Sequence, residues 1–332
     1  MRSLTLATLS LLMIFALVLS ACNIAPPDTP TPAPLPTDTP GAPKPTVAPT
    51  STAGVAGSTA ANPAALPNPD YKAMIDVGAY KLSIQCWGTG SPVVILDADL
   101  GVPFDTWKAV VPGVAGTTRV CAYNRAGVGD SERSPMLPRT VVALSDELYR
   151  MFDTAKVATP RILVAAGVAA LSARLTYTDH GADYLGMIFV EPTSTNAKTD
   201  MAPLLPAASA SDSATLKAWR QFFTDTGWFS WPEGFNLDSS ITLAQKVTSV
   251  GDMPLTILWP GAATIDGYVA GLPADTATKV KAVYDKWQKE AAALSNKSEV
   301  RVSTQAGAPI EQKDPALVVK AILDMLAKVK AK

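Results

Sequence analysis

The sequence predicts an α/β domain with a mostly parallel, doubly covered sheet, and three observations carry that prediction. Apolar strand-like runs alternate with amphipathic helix-like segments from about Tyr80 to the C-terminus. Several of the strands are continuous apolar runs, as expected where both sheet faces are covered. The stretch from Asp70 to Lys332, about 260 residues, is long enough for one such domain with a large core.

The elements follow in order. Tyr80–Trp87 alternates apolar and polar residues and is closed by Gly88-Thr89-Gly90. Pro92–Ala98 is a buried strand, and a helical segment follows Asp105-Thr106-Trp107. Thr118–Asn124 is the next strand and Thr140–Lys156 an amphipathic helix. Arg161–Ala165 is a strand that runs through a turn of small residues into a helix over Gly167–Tyr177. Leu185–Val190, Pro254–Trp259 and Glu299–Ser303 are strands, and Asp314–Lys328 is a closing helix.

Ahead of this domain (residues 70–332) stand two segments of different composition. Residues 1–21 have a basic start, Arg2, and an apolar run over Leu4–Leu19, followed by Leu19-Ser20-Ala21-Cys22. The pattern resembles a bacterial lipoprotein precursor, which implies lipidation of Cys22, membrane attachment through that lipid and an extracytoplasmic place in the cell envelope. An ordinary signal peptide with a chance cysteine is the alternative. Residues 22–69 are rich in Pro, Thr and Ala and carry too little apolar surface to offset ordering entropy, so a disordered linker is expected, either a spacer or a passive tether.

The motifs in the domain carry a family resemblance. Cys86-Trp87-Gly88-Thr89-Gly90-Ser91-Pro92-Val93-Val94, Tyr123-Asn124-Arg125-Ala126-Gly127-Val128-Gly129, Pro138-Arg139-Thr140 and Gly186–Pro192 stand in the order of α/β-hydrolase-fold landmarks. The chain resembles that superfamily from about Val77 to Glu191 and again from Pro254 to Ala327. The resemblance implies the α/β-hydrolase fold with a helical lid insertion at about residues 193–252. It also places the second strand beside the fourth, which implies a Cys86–Cys121 disulfide; two buried free thiols are the alternative.

The same resemblance exposes missing chemistry. Acyl hydrolysis by a triad needs an activated hydroxyl, an imidazole and an orienting acid. Ala165-Ala166-Gly167-Val168-Ala169-Ala170 has the layout of the family's nucleophile elbow, and Gly167 stands where the serine belongs. Pro309 stands where the histidine belongs. Glu191, after the sixth strand, is a vestigial acid or the cap of a turn. Asp99, in the turn that supplies an oxyanion amide, opposes a developing oxyanion. The single histidine, His180, lies past the elbow helix, and Ser172 faces packing.

These residues predict a pseudoenzyme that binds a ligand or a protein partner, with an active hydrolase using relocated residues as the alternative. A decaying paralogue without a selected role is a third possibility. The lid aromatics Trp219, Phe222, Phe223, Trp228, Phe229, Trp231 and Phe235 form either the lid's own core or the wall of a pocket. A pocket over the elbow, with Asp99, Leu100, Val168 and Ala169 at its floor, would present helix-start amides to a small amphiphilic or anionic ligand. No metal or cofactor is expected, because ligand clusters and phosphate loops are lacking. Nucleic-acid binding has no electrostatic support either.

Overall fold

The computed structural model describes residues 65–210, 212–224 and 233–330. The signal-like segment, most of the linker with Cys22, and Trp228, Phe229 and Trp231 lie outside the described residues. No helix among the described residues is long and apolar enough to cross a membrane.

Eight strands form one sheet in the order β1-β2-β4-β3-β5-β6-β7-β8. They are β1 (Tyr71–Asp76), β2 (Lys81–Trp87), β3 (Val93–Asp97), β4 (Val120–Tyr123), β5 (Arg161–Ala166), β6 (Tyr184–Val190), β7 (Leu255–Trp259) and β8 (Ser298–Val302). Pairing is antiparallel from β1 to β2 and from β2 to β4, and parallel everywhere else. β1 adds an edge strand to those expected from sequence. The packed chain also begins earlier than residue 70: Leu66 packs against the core, and the Trp87 indole donates to the Pro67 carbonyl at 2.8 Å.

The alternation of each buried strand sorts its side chains onto two helical layers. Ile95, Leu163 and Ala165 join one core, with α2 (Val141–Thr154), α3 (Ala169–His180) and α8 (Ala274–Ala292) packed over it. Val94, Leu96, Ile162 and Val164 join the other, covered by α1 (Val111–Ala115) and α10 (Pro315–Lys330). At about 1.5–3 kcal/mol for each fully buried large aliphatic side chain, these two faces hold the sheet. The excursion between β6 and β7 carries α4 (Ala197–Met201), α5 (Ala214–Thr224) and α6 (Leu237–Ala244); α7 (Ala262–Val269) follows β7, and α9 (Ile310–Lys313) precedes α10.

Two devices fix the part of the sheet that faces the site. Cys86 and Cys121 sit directly opposite one another in the β2–β4 ladder, with Cα atoms 4.0 Å apart, and are joined by a disulfide. The pairing implied by the family likeness is therefore present. Beside it, a buried ionic network centres on Arg125 and Arg139. Arg125 donates to Asp97 at 2.7 Å and to both Glu233 oxygens at 2.9 and 3.0 Å, while Arg139 pairs with Glu147 and reaches Glu233. Glu233 also accepts the Gly101 amide at 2.6 Å, so the end of the lid is tied to the loop after β3. Two cations beside it hold its carboxyl below the usual range although burial alone would raise it.

Candidate functional site

β5 ends at Ala166, and the chain turns through Gly167, whose φ is +52°. That left-handed conformation is open to glycine and strained for most other residues. The turn is closed by the Gly167 amide on the Val190 carbonyl and by the Thr193 amide on the Gly167 carbonyl, both at 3.0 Å. The place above Gly167 is not empty. A Cβ there would lie 2.1 Å from both Cγ and Oδ1 of Asp99. The carboxylate of Asp99 thus occupies the room that a nucleophile side chain needs.

The same oxygen takes the donors of the oxyanion hole. Asp99 Oδ1 accepts the Val168 amide at 2.8 Å and the Leu100 amide at 2.7 Å. In this fold an oxyanion hole uses the amide after the nucleophile and one from the loop after β3, and here an internal carboxylate satisfies that pair. Arg125 stiffens the loop by donating to the carbonyls of Ala98 at 2.6 Å and Asp99 at 2.5 Å. Burial raises the carboxyl pKa of Asp99; the two amides and Arg125 offset part of that rise.

Sequence reasoning placed Asp99, Leu100, Val168 and Ala169 together, and the first three do meet. Their roles differ from the expectation of a ligand floor. The Val168 amide is spent on Asp99, and Ala169 is fully buried in the core at the start of α3. The amide at the helix start thus meets the protein's own carboxyl. Ser172 is buried and donates to the Ala169 carbonyl at 2.9 Å, while the His180 ring stacks on Tyr149 with centroids 3.8 Å apart at the far end of α3.

The other two triad positions also converge. Glu191 follows β6 with φ of +46°, and its Oε2 accepts the amide of Ile310, the residue after Pro309, at 2.8 Å. Its Oε1 accepts the Tyr268 hydroxyl at 2.8 Å. Burial raises its carboxyl pKa, opposed by these two donors. A third acid, Glu311, is buried beside them. One of its oxygens accepts the Thr106 hydroxyl at 2.8 Å and the other has no partner. Burial first, then the repulsion of Glu191 and Asp99, push its carboxyl up to about 7.

Next to Glu191 opens a cavity of about 170 Å³. Phe222 and Phe223 from the lid line it, together with Trp259 at the end of β7, Tyr268 on α7 and Tyr284 and Trp287 on α8. Neither Asp99, Leu100, Val168 nor Ala169 lines it. The lid aromatics divide between the two roles open to them. Phe222 and Phe223 wall the cavity, Trp219 packs edge-on against Phe223, and Phe235 is fully buried with Leu100 and Val168. The wall from α7 and α8 is absent from the sequence reading, although Val280, Tyr284, Trp287 and Ala291 have the spacing of one helix face. Among the described residues no group of acids, histidines or cysteines is placed to hold a metal.

Comparison with known proteins places this geometry in a fold class. No family model matches the chain. A carboxylesterase of Bacillus subtilis superposes with a TM-score of 0.54 at 13% identity, covering 78% of this chain and 92% of that one. A malate-bound thermophilic esterase of Thermogutta terrifontis gives 0.51 at 17% identity, covering 78% and 99%. The chain has the α/β-hydrolase fold. Among curated proteins it is similar to an AB hydrolase superfamily protein of Gibberella zeae, with 32% identity over 105 residues, or 30% of this chain and 32% of that protein. It is also similar, at 29% identity over 127 residues, to a protein of Hormonema carpetanum named a probable transporter, covering 36% of this chain and 18% of that one. The chain thus spans less than half the length of the curated relatives it matches.

Proposed function

We propose that the chain is a catalytically silent α/β-hydrolase-fold protein with a binding role, held at the cell surface by a lipid on Cys22. One observation carries the first part: the Asp99 carboxylate fills the nucleophile's place and saturates both oxyanion amides. An oxyanion cannot form where a carboxylate already holds its donors, because like charges repel and the donors are spent. The retained aromatic cavity supports the binding role.

Fluorophosphonate labelling and activated-ester hydrolysis test the silence. The unmodified protein is expected to match a blank, since loss of triad members leaves only about 10³–10⁴ over water. Introducing Gly167→Ser with Pro309→His is expected to stay unlabelled while Asp99 remains, and to gain label when Asp99→Gly is added. Robust turnover by purified unmodified protein overturns the reading. A relocated hydrolase is the second reading, because Glu311 holds the Thr106 hydroxyl as a base would; its mark is turnover abolished by Glu311→Gln. For the anchor, radioactive palmitate is expected to label the wild type and not Cys22→Ala, and equal labelling of both refutes it.

A further inference from the structure

We propose that the aromatic cavity beside Glu191 takes the methylated head group of a small organic cation. The inference deepens the binding role above by naming a ligand class for it. Four features of the cavity support it.

The first is size. Pockets for drug-sized ligands span about 300–1,000 Å³, and this one measures about 170 Å³. Its occupant has few heavy atoms, as a trimethylammonium head does.

The second is the wall. Six of the lining residues are aromatic: Phe222, Phe223, Trp259, Tyr268, Tyr284 and Trp287. Three neighbouring pairs are turned steeply, by 81° for Phe222–Phe223, 67° for Trp259–Tyr284 and 58° for Tyr284–Trp287, while Tyr268 and Tyr284 are inclined by 30°. The steep pairs form corners rather than a stack, so ring faces as well as edges are presented. A cation over an aromatic face gains about 0.5–2 kcal/mol, more when water is excluded, and quaternary ammonium groups are held in this way.

The third is charge. The lining holds a carboxylate, Glu191, and no Arg, Lys or His. Glu191 is only partly buried, and the hydroxyl next to it belongs to Tyr268, a phenol kept protonated by burial first and by Glu191 second. Glu191, Asp99 and Glu311 repel one another, and no described cation forms an ion pair with any of their carboxylates. Arg125 offsets part of the charge of Asp99, while no ion pair among the described residues is made to Glu191, the acid that lines the cavity. A cation in the cavity neutralises it, and an anion meets repulsion.

The fourth is the loss of the competing site. The elbow amides that would attract an anion are occupied by Asp99.

The experiment measures binding to the purified full chain by calorimetry and by quenching of tryptophan fluorescence, which Trp259 and Trp287 report. The probes are choline, its neutral carbon isostere with tert-butyl in place of trimethylammonium, and tert-butylacetate as the anion. Choline is expected to bind about tenfold more tightly than the neutral isostere, a difference of about 1.4 kcal/mol, with the anion weakest. Glu191→Gln is expected to lower choline affinity about tenfold and leave the neutral isostere unchanged, whereas Tyr284→Leu weakens both. Equal or tighter binding of the neutral or anionic probe overturns the proposal, as does a failure of choline to bind. If Glu191→Gln does not fold, the ranking of the three probes on the wild type decides alone. Binding of the isostere or the anion without choline removes the cation and keeps a binding protein, whereas ester turnover removes the silent enzyme.

Discussion

The elbow and the aromatic cavity adjoin at the same end of the sheet, and they have met opposite fates. At the elbow every residue is small, and the room they leave is taken by one side chain from the loop after β3. In the cavity large rings drawn from the lid, β7, α7 and α8 stand around space that remains open. The contrast separates two demands that an active enzyme makes together. Triad chemistry needs vacant volume above the turn and free amides beneath it, and a single carboxylate removes both. Holding a ligand needs only walls, and those are built by elements the core requires anyway.

The largest expected effect comes from breaking the filled side. Gly167→Ser places a Cβ 2.1 Å from the Asp99 carboxyl and forces a non-glycine residue into φ of +52°. Asp99 then loses two charge-assisted hydrogen bonds, each worth about 1.5–3 kcal/mol. Destabilisation of roughly 3 kcal/mol is expected in urea unfolding. With Asp99→Ala already present the same change is expected to cost at least about 1 kcal/mol less, a coupling that a double-mutant cycle reads. Additive effects would show that the two residues do not compete for one place.

A smaller effect concerns pH. The folded Glu311 carboxyl titrates at about 7 against an ordinary 4.5. A raised carboxyl pKa means that the folded state binds more protons than the unfolded state across that interval. Stability therefore falls as pH rises from about 4.5 to about 7. Glu311→Gln removes a titrating group and its repulsion of Glu191 and Asp99. The variant is expected to match the wild type near the acid end and to exceed it by roughly 2 kcal/mol above neutrality. A parallel pH profile in the two proteins would refute the strained carboxyl.

Much of this was legible in the residues, for identifiable reasons. Buried strands such as β3 and β5 announce themselves by unbroken apolar runs, and the turn of small residues at Gly167 is plain without coordinates. β1 escaped because its alternation belongs to a six-residue edge with one face in solvent. α8 escaped although its apolar positions recur at helical spacing, and with it went two of the six rings of the cavity wall, Tyr284 and Trp287. Asp99 was legible as an acid in the wrong turn. That it reaches across to fill the glycine's vacancy depends on the approach of two loops 68 positions apart in the chain, which no local pattern encodes.

The Cys86–Cys121 bond has a mechanical consequence. β1 is an edge strand paired only to β2, and the bond lies where β2 ends, opposite β4. Tension applied through the N-terminal side strips β1 first, one ladder rung after another, then draws on β2. It stops at Cys86, about sixteen residues beyond Asp70, after paying out roughly 50 Å of chain. From that rung the load passes covalently into β4, which lies inside the sheet with a strand on either side. Further extension has to tear β4 from β3, inside the sheet. The domain has a short elastic margin at its edge and an abrupt stop behind it.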